Sequence, residues 1–226
     1  MADGPAIAAA AVAAPDLRFA VDGVEPVRFA AGPTLRFRVR VDELSGTRVQ
    51  SLNLNVQLRI DATRRAYDAA TQERLFEVFG PPELWSRSLR SLTWTQATVV
   101  VPAFEHTTLV ELDVPCSYDV AVASAKYFAA LGEGDVPVEM LFSGTAFHAL
   151  PGGGPMRIAQ IPWDREASVR MPVRVWREAL DLHFPGAAWV RVNRDAFERL
   201  SAFRARNALT SWDAVFEALL AEAEEG

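Results

Sequence analysis

Residues 34–42, TLRFRVRVD, put Leu35, Phe37, Val39 and Val41 on one side of an extended chain and Arg36, Arg38 and Arg40 on the other. Side chains alternate across a strand, so this stretch reads as a β-strand with one face in a core and one in water. Residues 49–60, VQSLNLNVQLRI, repeat the pattern, with Leu52, Leu54, Val56, Leu58 and Ile60 inward and Ser51, Asn53, Asn55, Gln57 and Arg59 outward. Ser45-Gly46 between them is a turn signal, and the two strands are expected to pair as an antiparallel hairpin.

Working outward, AATQERLFEVFG places Leu75, Phe76 and Phe79 at helical spacing before Gly80-Pro81-Pro82 ends the run, which predicts a short inserted helix. Strands are expected again at LTWTQATVVV and TLVELDV, then a strand and a helical turn around Lys126 to Leu131, then a buried strand from Val138 to Phe147. Gly144 inside that strand reads as a bulge or a close-packing position. MRIAQIPW is expected to be the last strand, with IPWDREASVRM linking it to helices. Pro172 suits a helix start, Asn193 suits the N-cap of a second helix through Arg206, and Thr210 with Asp213 resembles a capping box opening a third. The fold expected is α+β: an antiparallel β-sandwich, Ig-like or SecB-like, with a C-terminal helical extension packed on it. Its parts are a disordered tail over 1–16, a sandwich domain over 17–163 with a helical insert at 69–79, and the helical extension over 164–226. Trp176 and the other large apolar groups of that extension need a surface to bury them.

Composition bounds the function. Half the residues are hydrophobic and 23% charged, as in packed globular proteins. Cys116 is the only cysteine, so no internal disulfide can form, and it reads as a small buried hydrophobe. The alanine-rich start carries Asp3 where an export signal needs positive charge, and no stretch approaches the length of a membrane-spanning helix, so a cytoplasmic protein is expected. A net charge of −6 repels phosphate and argues against nucleic acid as a partner. Lys126 is the only lysine; the arginine and alanine bias is what a GC-rich coding sequence produces.

Catalytic spacing is missing from the sequence. His106, His148 and His183 lie far apart with no H-x-x-x-H or C-x-x-C pairing, so no metal site is expected. His183 reads as a partner for the last carbonyls of a helix. The FSGT at 142–145 lacks the first glycine of a nucleophile elbow, and the glycines at 152–154 lack the following G-K-S/T of a phosphate loop. The acids Asp164 with Glu166, and Glu111 with Asp113, alternate on faces expected to be solvated. An unrecognised enzyme would need Asp119, His148, Asp164 and Glu166 to converge in a pocket. Two features suit protein binding: an arginine stripe of Arg36, Arg38 and Arg40, whose guanidinium groups match partner carboxylates, and Trp85 and Trp163 on proline-stiffened loops as interface anchors. Core packing is the competing role for the tryptophans, and keeping a sheet face wet is the competing role for the arginines.

The segments VQLRI, RRAYD, FGPPELW, VVVPAF, VPCSYD, KYFAAL, GDVPVEMLFSGTAF, IPWDREAS and LTSWDAVFEALL, spread over residues 17–220, together resemble a family of actinobacterial proteins of unknown function. Genes of that family lie beside those for nickel–iron hydrogenases and their maturation proteins. The resemblance implies an accessory or assembly role with hydrogenase subunits or maturation factors as partners, and it supplies no catalytic residue and no cofactor. A more generic likeness, to the SecB export chaperones, rests on successive strands, then a cysteine, a helix and Gly134 to Pro137. It departs after Pro137, where a strand is expected. The expectation is therefore a non-enzymatic binding or scaffold protein, with a SecB-like holdase as the alternative.

Overall fold

The computed structural model describes residues 14–116, 122–149, 154–187 and 192–225. Of the expected tail, residues 1–13 lie outside them. The described chain divides into two units, 1–185 and 186–226.

The first unit is an antiparallel β-sandwich. One sheet has the order β1 (Leu17–Pro26), β2 (Thr34–Glu43), β5 (Thr107–Pro115). The other has β4 (Leu92–Val101), β3 (Val49–Ile60) and β6 (Asp135–Ala149), with β7 (Met156–Gln160) and β8 (Glu166–Pro172) both paired to β6. All pairings are antiparallel. The alternation seen in the sequence sets the inner faces: Leu35, Phe37, Val39 and Val41 are fully buried, as are Leu52, Leu54, Leu58 and Ile60. Across the two sheets Phe19 stacks on Phe142 at 4.1 Å between ring centres, and Phe37 meets Trp94 edge-on at 6.0 Å.

Two expectations are corrected. β2 and β3 do not form a hairpin; the chain crosses from one sheet to the other at Ser45-Gly46. A strand with one apolar face can bury it beside its neighbour in one sheet or opposite it across a core, and here the two apolar faces oppose each other. The crossing is clasped by the buried carboxylate of Glu43, which accepts hydrogen bonds from the backbone N–H groups of Asp16, Ser45 and Thr47 at 2.9–3.0 Å. Residues 166–172 are also not a linker into a helical extension: EASVRMP alternates, Met171 is buried, and the segment closes the sheet as β8.

Short helices cover the ends. α1 (Ala69–Arg74), α2 (Phe76–Phe79) and α3 (Trp85–Ser88) make the insert, with Asp68 capping α1 by accepting from Thr71 N–H at 2.7 Å. α4 (Val122–Ala130) packs beside it, and the expected strand before Lys126 is helix from Val122 on. α5 (Val173–Asp181) lies against β1, β2 and β8 and buries Val175 and Trp176, whose indole stacks on Phe128 at 5.2 Å. So the first helix of the expected extension packs on the sandwich. His183 bonds to the carbonyls of Ala179 at 3.3 Å and Ala30 at 3.0 Å, tying the end of α5 to the β1–β2 loop.

The second unit holds α6 (Arg194–Arg206) and α7 (Trp212–Glu225), in contact with each other. Phe197 packs on Trp212, and Arg204 lies over the same indole at 4.6 Å. Asn193 is the N-cap residue of α6, as expected, although its side chain makes no capping bond. At α7 the capping oxygen is that of Ser211, which accepts from Ala214 N–H at 3.1 Å, one residue beyond the expected Thr210.

Candidate functional site

The five residues singled out for binding do not converge. Arg36, Arg38 and Arg40 lie on the outer face of the three-stranded sheet, and two of them are already paired within the molecule. Arg36 reaches Asp113 at 2.7 Å and Glu111 at 2.9 Å, contacts that hold the Asp113 carboxyl below the usual carboxylate range. Arg40 reaches Asp42 at 2.9 Å and Asp22 at 3.3 Å. Arg38 is exposed and lies across Gly23. The stripe is thus threaded with its own counterions, drawn from β1, from β2 itself and from β5. Trp85 packs inward: its indole N–H donates to Gly80 C=O at 3.0 Å, and its ring meets Tyr67 and Phe79 edge-on.

Trp163 is different. It is 90% exposed at the tip of an interruption in the edge of the larger sheet. β6 pairs β7 up to Thr145–Gln160 and β8 from Leu141–Glu166, so residues 142–144 face the longer segment 161–165. This bulge is held at both ends: Ile161 N–H donates to Gly144 C=O and Phe142 N–H to Arg165 C=O, each at 2.9 Å. Arg165 N–H closes a turn onto Pro162 C=O at 3.3 Å, and its guanidinium reaches Asp16 at 2.9 Å.

The bulge overhangs a cleft of about 530 Å³ on the outer face of that sheet, where Trp163 meets Asn55, Gln57, Gln96, Thr98, Leu141 and Ser143. Strand register makes the floor. Thr98, Asn55 and Ser143 form one cross-strand row, and Gln96, Gln57 and Leu141 the next. A third row adds the exposed Val100, Asn53, Thr145 and Gln160. Thr98 Oγ1 donates to Asn55 Oδ1 at 2.9 Å, while the side chains of Asn53, Gln57, Gln96 and Ser143 make no hydrogen bond among the described residues. The uncharged belt ends at the Arg59–Glu139 pair, 3.5 Å apart, and, beyond Leu141, at the exposed Glu166 of β8. The close approach of β3 and β6 beneath this floor depends on Gly144: at φ +132° a Cβ there would stand 2.0 Å from Asn53 O. That is the close-packing position expected from the sequence.

The residues weighed for catalysis stay apart. His148 is buried on the inner side of β6, and its Nδ1 has no hydrogen-bond partner among the described residues; Asp164 is exposed in the bulge and Glu166 starts β8. Asp119 lies outside the described residues, as do the glycines 152 and 153 and Trp189. Burial pushes the Cys116 thiol up to about 12, which keeps it protonated and unreactive. Among the described residues no group of three or more His, Cys, Asp or Glu side chains could hold a metal ion, and no helix is long and apolar enough to cross a membrane.

The exposure of Trp163 was legible because a tryptophan after a proline stands out. The amide belt beneath it was read only as a wet strand face, since nothing local marks Asn55 and Gln57 as neighbours of a residue more than one hundred positions on.

No curated protein matches the chain. Among solved structures it is similar to the CARDB domain of a Pyrococcus furiosus protein in complex with di-metal ions, at 11% identity over 70% of this chain and 91% of that one, with a TM-score of 0.27. A candidate late embryogenesis abundant (LEA) protein matches at 15% identity over 71% and 73%, with a TM-score of 0.30. A β-glucosidase from Kluyveromyces marxianus matches at 8% over 70% and 15%, with a TM-score of 0.28. These scores are too low to assign a relationship. The sequence itself is more decisive: over residues 14–226 the chain belongs to a family of unknown function, DUF6084.

Proposed function

We propose that this protein is a non-enzymatic binding protein that helps assemble, mature or scaffold a redox enzyme, and that the outer face of its larger sheet is the recognition surface. One observation carries the binding reading: Trp163 is held almost fully in solvent by a bulge fastened at both ends, above polar side chains of which Gln57, Gln96 and Ser143 have no hydrogen-bond partner among the described residues. An indole left in water is an unspent apolar surface, and a rigid one loses little conformational freedom on binding. The resemblance of the chain's segments to actinobacterial proteins encoded beside nickel–iron hydrogenase genes supplies the partner class: hydrogenase subunits or maturation factors, in the cytoplasm.

The holdase alternative draws less support. A SecB-type groove needs contiguous apolar surface of roughly a few hundred Å² or more. Of the exposed large apolar side chains of the sandwich, Phe29 lies between β1 and β2, Leu44 between β2 and β3 and Leu109 on β5, while Val100 and Ile158 share the outer face of the larger sheet with Asn53 and Thr145 between them.

The test is affinity purification from the native host at native expression, read by mass spectrometry, with wild type beside Trp163→Ala. Hydrogenase subunits or maturation factors are expected with the wild type and depleted with the variant, and deletion of the gene should impair hydrogen uptake. If those proteins are absent and hydrogen uptake is unchanged by deletion, the accessory role is wrong.

A further inference from the structure

We propose that the cleft under Trp163 takes an extended peptide segment of a protein partner, free of acidic side chains and laid along the amide column of β3. The inference rests on the reading of this face as a recognition surface and adds what chemistry it recognises.

The column is Asn53, Asn55, Gln57, at every second residue of one strand and all on its outer side. Same-face positions along a strand repeat at about 6.8 Å, which is also the two-residue repeat of any extended peptide. A peptide running alongside the column therefore presents equivalent backbone groups at the spacing of successive amides. Each primary amide carries both a donor and an acceptor, the complement of a peptide N–H and C=O. Asn53 and Gln57 have both available, and Asn55 keeps its NH₂ because only its oxygen is used, by Thr98. Gln96 and Ser143 flank the column with further free groups.

Charge sets the class of occupant. Every polar side chain lining the cleft is neutral, the Arg59–Glu139 pair along β3 and β6 neutralises itself, and carboxylates stand at the cleft's border: Glu166, across from Leu141, and Asp164, next to Trp163. An acidic ligand would give up hydration here without gaining a counterion. Trp163 and Leu141 then offer one apolar slot, sized for a proline or aliphatic side chain of the bound segment. A glycan is the competing neutral ligand. It gains most from a stacking ring under each saccharide, whereas this face has a single indole and a repeating line of amides, which favours the peptide.

The experiment is selection of random dodecapeptides displayed on phage against the full-length chain, followed by affinity measurement of enriched peptides on wild type, Trp163→Ala, Gln57→Leu and Arg38→Ala. Gln57→Leu keeps nearly the size of the side chain and removes its donor and acceptor without adding a charge, so a loss of affinity reads the hydrogen bonds themselves. The expected result is enrichment of sequences without Asp or Glu whose affinity falls roughly tenfold or more on Trp163→Ala and severalfold on Gln57→Leu, with Arg38→Ala on the opposite face unchanged. Circular dichroism and the melting temperature identify any variant that has misfolded. The inference is overturned if no peptide is enriched, if enriched peptides are acidic, or if they ignore both Trp163 and Gln57. It is equally overturned if a glycan array is bound in a Trp163-dependent way while peptides are not. Host partners lost on Trp163→Ala in the absence of any peptide binding would leave the recognition surface standing and sink only the peptide chemistry.

Discussion

The two outer faces of the sandwich are both polar, yet they are finished in opposite ways. On the three-stranded sheet, Arg36 and Arg40 are met by Asp22, Asp42, Glu111 and Asp113, so the face satisfies itself. On the larger sheet the floor of the cleft is mainly amides and hydroxyls, several without a partner, beneath an exposed indole, with Val100 and Ile158 exposed on the same face. Charged rows in register attract one another across strands at little cost, because both partners stay hydrated. Neutral amides have no long-range attraction to bring them together, and they keep their bonding capacity for water or a ligand. A polar strand face is therefore a candidate for recognition when its groups are left unspent, and their number is a poorer guide.

The largest expected effect removes the floor of the open face. Gly144→Ala would set a methyl group 2.0 Å from Asn53 O at a backbone angle that L-residues rarely adopt. It should cost more than about 4 kcal/mol, or prevent folding, by urea denaturation. A variant that melts like the wild type would contradict the β3–β6 register on which the amide rows depend.

Trp176→Ala strikes neither outer face. It empties a buried site stacked on Phe128 and should cost about 3–5 kcal/mol, with the sandwich unfolding earlier in thermal melts. Full stability in that variant would mean α5 is not part of the core.

The Glu43 clasp, where the chain passes between sheets, gives a pH signature. Burial by itself would raise this carboxyl, but hydrogen bonds from Ser45, Asp16 and Thr47 outweigh burial and hold it below its ordinary value of 4.5. A depressed folded-state value means the contribution is complete above the unfolded value and is lost as pH falls through the folded one. Wild type should therefore lose stability on acidification below about pH 4.5, and Glu43→Gln should be less stable by about 1–2 kcal/mol at pH 7 with a shallower acid limb. Parallel pH profiles for the two proteins would remove Glu43 from the acid transition.

The smallest effects sharpen the contrast of the two faces directly. Arg36→Ala should change stability by less than about 1 kcal/mol, and the change should shrink in high salt, because its ion pairs are solvent-exposed. Gln57→Ala should change stability by no more than about 0.5 kcal/mol at any salt concentration, its amide having no partner to lose. A salt-dependent loss at Gln57, or a salt-independent one at Arg36, would reverse the assignment of closed and open faces.

What the sequence by itself determined is local. Strict alternation in TLRFRVRVD and VQSLNLNVQLRI decides which side chains point to the core, because successive residues of an extended chain face opposite ways whatever lies beside them. The glycine in the FSGT stretch and the Pro-Trp pair at 162–163 also announced a tight approach and an unusual tryptophan. Tertiary structure alone decided the rest. β2 and β3 show the same pattern whether they lie side by side or face to face, so their crossing between sheets was not legible, and neither was the strand hidden in EASVRMP. The ion partners of Arg36 come from β5, and the cleft joins Asn55 and Gln57 to Trp163, because antiparallel pairing through β6 brings distant segments into register. Alternation acts over a few bonds and leaves open which of several equivalent apolar faces meet. That choice is made by the shared core, where burial of all of them at once selects one arrangement.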